Sequence, residues 1–256
     1  MTSKKFITEI IRTIYKSLSY NLNSKQHLRY LIYDIYDRLR LMQYKAKSLI
    51  YKEFPAKKNI IYINPERIKF EKDLTSNNWR LLFKFIYPLF NYRKTDKIQI
   101  IDGNWDLRES LELFESHIKY SSYYQHFMEG FDWKDTPYYK REFKRYYEGD
   151  VRKEYETIEE LNLKFKFHDR LYEKIKKEGF KTQLEIIKSE GKVINYGHGK
   201  IVRKPDDDIT VGIGRDGEII FFDGRHRLNV AKLLNLKKIP VRVLVIHKKF
   251  LLNLKN

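Results

Sequence analysis

Residues 221–236, FFDGRHRLNVAKLLNL, hold the densest chemistry in the chain. Gly224 permits a sharp turn and the close approach of another backbone. The residues after it open a helix. The first N–H groups of a helix have no internal acceptor and its dipole is positive at that end, which makes the turn a ready anion site. Arg225, His226 and Arg227 add donors around it, and an arginine fork grips phosphate oxygens in pairs. The expected phosphate-binding residues are therefore Gly224, Arg225, His226, Arg227 and Leu228. Asp223, ending the preceding strand, is a carboxylate that could hold Mg²⁺ or take a proton from an attacking hydroxyl, and His226 is a second acid–base candidate. The same run also fits a plain strand–turn–helix with an Asp cap and solvated arginines.

Other residues carry weaker signals. Asp102 and Asp106 flank Trp105 at a strand end, where they could form a second acidic cluster or only an Asp-Gly turn over a core tryptophan. Asp206, Asp207 and Asp208 precede a strand, and three acids in a row usually form a solvated loop. His198 lies between two glycines in a loop that could cover a ligand. His247 ends the last strand. Zinc-ligand spacing, a G-x-S-x-G elbow and a phosphate loop ending in Gly-Lys-Ser/Thr are all absent from the sequence.

These residues need a scaffold, and 256 residues suffice for a substantial core. There is no cysteine, which excludes disulfides, thiolate metal sites and cysteine nucleophiles. The first helix-like segment is interrupted by Glu9 and Arg12 and has no small-residue cleavage site. No apolar run is long enough to span a membrane. The expectation is a cytoplasmic protein, with peripheral membrane contact left open. The net charge of +18 is concentrated at the two ends. Residues 1–60 carry 13 Lys and Arg against 4 acids, 61–223 carry 30 of each, and 224–256 carry 9 with no acid. Since half of the excess starts at the phosphate turn, an anionic ligand explains it more directly than a polyanion does.

Three regions follow. Residues 1–58 read as two basic amphipathic helices, with Ser24 a fitting N-cap for the second. Residues 59–150 read as a mixed α/β region: a strand and turn at 59–70, a dense apolar run at 79–90, a strand into Asp102-Gly103, and helical segments from 109 to 149. Asp135-Thr136-Pro137 is a good helix start within them. In residues 151–256, Thr157 and Glu160 cap a helix of about 20 residues that stops at Gly179. A strand is expected at Leu184–Ile187, then a glycine-containing loop. A hairpin turning at Arg215-Asp216-Gly217 leads to the Asp-Gly turn, a helix and the central strand VRVLVI. The fold class is α+β: a small mixed-sheet domain with a helical N-terminal region.

The run DGRHRLNVAKLLNLKKIPVRVLV, with KKEGFKTQLEII at 176–187 upstream, resembles the ParB/sulfiredoxin superfamily over roughly residues 165–247. Gly224-Arg225-His226-Arg227 and Ile239-Pro240-Val241 fill the places of the family's turn, helix and strand. The resemblance implies a nucleotide-binding domain and places the Gly179 turn near the nucleotide, making Gln183 a candidate catalytic, base or ribose contact. Sulfiredoxin activity is excluded because Arg225 stands where that enzyme has its essential cysteine. The helix-turn-helix of partition proteins has no counterpart after the last strand. The family's kinases share the turn formed here by Asp223, Gly224, His226 and Arg227, but their base has no clear equivalent. Asp102-Gly103-Asn104-Trp105-Asp106 and Thr136-Pro137-Tyr138-Tyr139-Lys140-Arg141 are similar to segments of uncharacterised archaeal, bacterial and viral proteins with the same DGRHR domain. The expected function is an ATP- or other nucleotide-dependent phosphotransferase, or an NTP hydrolase, using Mg²⁺ and acting on a small-molecule or glycan hydroxyl. The alternatives are a ParB-like nucleic-acid-binding protein or nuclease and a non-catalytic nucleotide-sensing scaffold.

Overall fold

Short runs of β-branched and aromatic residues, bounded by Asn, Asp, Gly and Pro, form the strands of this chain. The computed structural model describes residues 59–72, 98–149, 155, 157–191, 193–195, 200–202 and 207–254. The strands are β1 (Ile60–Ile63), β2 (Ile68–Glu71), β3 (Gln99–Ile101), β4 (Glu112–Leu113), β5 (Val193–Asn195), β6 (Lys200–Val202), β7 (Thr210–Ile213), β8 (Ile219–Asp223) and β9 (Ile239–His247). The helices are α1 (Ile118–Glu129), α2 (Pro137–Tyr147), α3 (Ile158–Glu178), α4 (Gln183–Glu190), α5 (Arg225–Leu233) and α6 (Lys248–Asn253). Among the described residues no helix is long and apolar enough to cross a membrane. The expected helices within 1–58 and the apolar run at 79–90 lie outside the described residues.

The fold is α+β. The main sheet runs β1–β9–β7–β8–β2–β4, and β3 also pairs with β9. Pairing is parallel for β7 with β9, β3 with β9 and β2 with β8, and antiparallel elsewhere, so the sheet is mixed. Strands from residues 59–150 thus interleave with those from 151–256 in one sheet. β9 is central and buried along almost its whole length, as its continuous apolar run requires.

Helix boundaries follow local chemistry. Thr136 caps α2 through the N–H of Tyr139, with Pro137 in the first turn. Thr157 accepts from the N–H of Glu160, and α3 ends at Gly179, which has a positive φ. One expectation fails: Leu184–Ile187 is helix, within α4, not strand. Thr182 and Glu185 form a reciprocal capping box and Gly191 ends the helix. These two end signals outweigh the strand-like run Leu-Glu-Ile-Ile. The segment beyond is not only loop, since β5 and β6 pair there as a separate antiparallel hairpin.

Three apolar clusters organise the packing. Ile219 and Phe221 of β8 and Val241 and Val243 of β9 meet Leu228 and Ala231 of α5 on one sheet face. Val230 and Leu233, on another side of α5, pack with Tyr123, Tyr138, Phe165 and Tyr172 of α1, α2 and α3. Trp105, Ile220 and Leu244 cover the opposite sheet face.

A polar lock ties the β3 end to the β7–β8 hairpin. The buried Asp106 carboxylate accepts from the Arg215 side chain and from its backbone N–H. His247 Nε2 lies 2.9 Å from Gly103 O and 3.8 Å from Asp106. Burial opposes ionisation of Asp106, but the Arg215 donors and nearby His247 outweigh it and hold this carboxyl below its ordinary range. A depressed folded-state pKa gives stability that is complete above the unfolded value, about 3.9 for Asp, and is lost as pH falls through the folded value. Asp106→Asn is therefore expected to be less stable at neutral pH and to show a shallower loss of stability below about pH 4, measured by urea unfolding across pH. Gly224 has φ +93°, and a Cβ there would sit 2.8 Å from Ile209 Cα. Gly224→Ala combines backbone strain with overpacking, and its unfolding free energy should fall by roughly 2–4 kcal/mol, read from the urea midpoint.

Candidate functional site

The start of α5 is wedged between the sheet and three helices, and this decides where its side chains go. Successive helical residues point about 100° apart. Arg225, His226 and Arg227 consequently leave the turn in three directions instead of gathering on one ligand. Arg225 faces the sheet: its guanidinium pairs with the buried Glu71 and lies 5.2 and 5.1 Å from the Phe114 and Phe221 ring centres. Arg227 turns to the opposite flank, over Phe180, where it pairs with Asp208 at 3.3 Å and donates to Lys181 O. The N–H of Leu228 closes the first helical turn on Gly224 O, so it is not open to a ligand. The expectation that both arginines and the Leu228 N–H grip a phosphate is corrected on these grounds. The N–H groups of Arg225 and His226 meet no acceptor among the described residues, and the cap supplies no side-chain bond.

His226 faces the helical layer. Its Nδ1 is 2.8 Å from Tyr123 Oη, its ring stacks on His168 at 4.4 Å and 20°, and Tyr138 lies 6.2 Å away. Burial, reinforced by His168, Lys119 and Lys164, pushes His226 well below the usual histidine range, so it is neutral at pH 7. His168 is fully buried, and neither ring nitrogen has a hydrogen-bond partner.

Beside these rings three cations from three helices surround one aromatic. Lys119 of α1, Arg141 of α2 and Lys164 of α3 lie 5.1, 5.3 and 5.7 Å from the Tyr138 ring centre. The Glu142 carboxylate lies between them, 3.0 Å from Lys164 and 3.3 Å from both Arg141 and Arg145. Arg141 Nε is buried without an acceptor, and Glu142 acts on Lys119 as a nearby charge. Desolvation, then the charges of Lys164 and Arg141, bring the Lys119 ammonium down to about 8. A buried donor without an acceptor is what an anion would relieve.

The remaining predicted residues are spread out. Asp223 is exposed at the turn, and one of its oxygens accepts from the N–H of Gly224. Gln183 opens α4 on the Arg227 flank: its backbone N–H donates to Asp208, while its side-chain Oε1 is buried without a partner. Asp208 is thus tied up in the Arg227 bracket. Asp102 and Asp106 sit with His247 and Arg215 at the opposite end of the sheet. The five-residue length of β8, about 13 Å at 3.3 Å per residue, separates them from Asp223. They do not join the α5 turn, because the strand runs from the Arg215 turn toward Asp223. His198 and Asp206 lie outside the described residues.

Two of the three motif segments therefore meet, where Tyr138 of the Thr136–Arg141 run lies 6.2 Å from the His226 ring. Sequence reasoning missed Lys119, Lys164, His168 and Tyr123. A signal existed for two of them: Lys164 and His168 share helical spacing with the buried Leu161, Phe165, Tyr172 and Ile175. A lysine and a histidine on the apolar stripe of a helix mark a polar site in the core. Lys119 carries no comparable signal. Comparison of the chain with protein-family models, curated proteins and solved structures returns no match.

Proposed function

We propose that this chain binds a phosphorylated ligand at the start of α5 and transfers or hydrolyses a phosphoryl group, with a nucleotide such as ATP as donor. The acceptor is a hydroxyl of a small molecule or glycan, or water. The observation that carries this reading is the gathering of Lys119, Arg141 and Lys164 around Tyr138, with Arg141 Nε buried without an acceptor, next to a helix start whose first N–H groups meet no acceptor among the described residues. Phosphoryl transfer depends mainly on positioning and on neutralising charge, and this cluster supplies both. A neutral His226 beside it is the acid–base candidate. The Tyr123 hydroxyl lies 2.8 Å from Nδ1 of that imidazole. The resemblance of the residue 223–228 turn to the ParB/sulfiredoxin superfamily is the ground for naming a nucleotide as the donor.

A resident Mg²⁺ ion is a poor fit to the donor set. Mg²⁺ requires near-octahedral oxygen ligands, usually one or two carboxylates with phosphates and water. Glu71, Glu142 and Asp208 each close on a guanidinium or ammonium group, and one oxygen of Asp223 is taken by the turn. The described residues contain no group of three or more His, Asp or Glu side chains placed to hold a metal.

Isothermal titration with ATP, ADP and CTP tests the reading. A dissociation constant of about 1 mM or tighter is expected for at least one of them, weakened about tenfold or more by Lys119→Gln. Arg227→Ala should behave differently: it leaves Asp208 buried and unpaired and should lower stability by roughly 3–5 kcal/mol. A Lys119→Gln variant that binds every nucleotide as tightly as the parent would reject the site.

A further inference from the structure

We infer that His126 is a pH-sensitive clasp: as an imidazolium it fastens the end of α1 to α3 and to the chain leaving α1, and on losing one proton it releases one of those two bonds. The clasp is independent of the phosphate-binding reading, because it concerns only what holds the aromatic layer behind His226.

Both ring nitrogens of His126 face oxygens. Nδ1 is 2.7 Å from the carbonyl oxygen of Phe131, and Nε2 is 3.1 Å from Asp169 Oδ1 of α3. The same Oδ1 accepts from Trp133 Nε1 at 2.6 Å. A carbonyl oxygen and a carboxylate oxygen only accept, so both His126 bonds exist together only when both nitrogens carry protons. A neutral imidazole has a single N–H and turns a lone pair toward one of the two oxygens. The place in the helix favours the charge as well, because His126 lies in the last turn of α1, where the helix dipole is negative. The charged groups that face it are the carboxylates of Asp169, from α3, and Asp132, from the chain beyond α1. Burial opposes the charge, but the bonds to Asp169 and Phe131 and these two carboxylates outweigh it and raise His126 above the ordinary histidine range. The side chain is 22% exposed, so water can exchange its protons.

The clasp reaches the candidate site through ring contacts. His126 stacks on the Trp133 indole at 4.2 Å and 20°. Trp133 lies 5.3 Å from the Tyr123 ring and 5.9 Å from the His168 ring. Those two residues hold His226, one by the hydrogen bond at Nδ1 and the other by stacking. Loss of the imidazolium therefore loosens the indole that backs both of them. A histidine raised in the folded state above its unfolded value, about 6.5, gives stability that is complete below that value and is lost as pH rises through the folded one. Lys119, His168 and His226 have lowered values and act with the opposite sign, adding stability as pH rises. The share of His126 is thus the difference between the parent and His126→Gln.

The test is a titration of the isotope-labelled full chain from about pH 5 to about pH 8, read by long-range proton–nitrogen correlation spectra of the imidazoles and by urea unfolding. His126 is expected to keep both protons beyond about pH 6.5, where an unperturbed histidine is half neutral. Asp169→Asn, which keeps an acceptor for Trp133 but removes the charge, should bring the titration down toward that value. The His226 signals should shift in the same pH step, and that step should vanish in His126→Gln. The urea midpoint of the parent should fall relative to that of His126→Gln as pH rises through the step. A His126 already neutral at about pH 6 overturns the inference, and so do urea midpoints that move with pH in parallel in the two proteins. His226 signals indifferent to the His126 step overturn the link to the site. The parent titration alone decides the protonation state, even where a variant fails to fold.

Discussion

Everything at the candidate site follows from the burial of α5 on two sides. Leu228 and Ala231 are pressed on the sheet while Val230 and Leu233 are pressed on the helical layer. Fully burying side chains of this size contributes about 1.5–3 kcal/mol each for the larger ones, so the rotation of the helix about its axis is not adjustable. Once that rotation is set, the 100° step between residues sends Arg225 to β2, His226 to α1 and α3, and Arg227 to the α3–α4 connection. The Gly224 turn has the same rigidity. Its φ of +93° and the 2.8 Å approach to Ile209 allow no side chain there.

The two arginines then serve the fold. Each fixes a buried carboxylate, Glu71 or Asp208, and each lies against aromatic rings. A buried carboxylate without its cation would be costly, so these pairs brace the turn on both flanks and hold His226 between them. The middle residue is left facing the aromatic and cationic layer. There Lys119, Arg141 and Lys164 gather around the Tyr138 ring, and Arg141 Nε is buried without an acceptor. Pairing on the two flanks and a stacked imidazole between them give three residues of one motif three different surroundings.

The far end of the sheet repeats the bracing principle with different residues. Asp106, buried at the β3 end, is locked by Arg215 from the hairpin, and His247 bonds the Gly103 carbonyl. The Asp-Gly segment read as a possible acidic cluster thus joins strands that are distant in sequence. Its carboxylate is consumed by that task, and Trp105 packs beneath the sheet with Phe222.

Much of the scaffold was legible in the sequence because its signals are local. The Gly179 stop, the Thr136-Pro137 start, the Arg215-Asp216-Gly217 hairpin, the turn before α5 and the apolar β9 all depend on residues within a few positions of each other. The strand expected at Leu184–Ile187 was misjudged because the capping pair Thr182 and Glu185 and the stop at Gly191 govern that segment more strongly than its apolar run does. The site itself was legible only as a place. By itself the sequence determined that a strand, an Asp-Gly turn and a helix start would present charge at residues 223–227. Tertiary structure alone decided which of those charges are spent on Glu71 and Asp208, and which distant residues, Lys119, Arg141, Lys164 and His168, complete the site. The reason is that helix rotation and charge pairing are set by packing between elements far apart along the chain, and no local spacing records them.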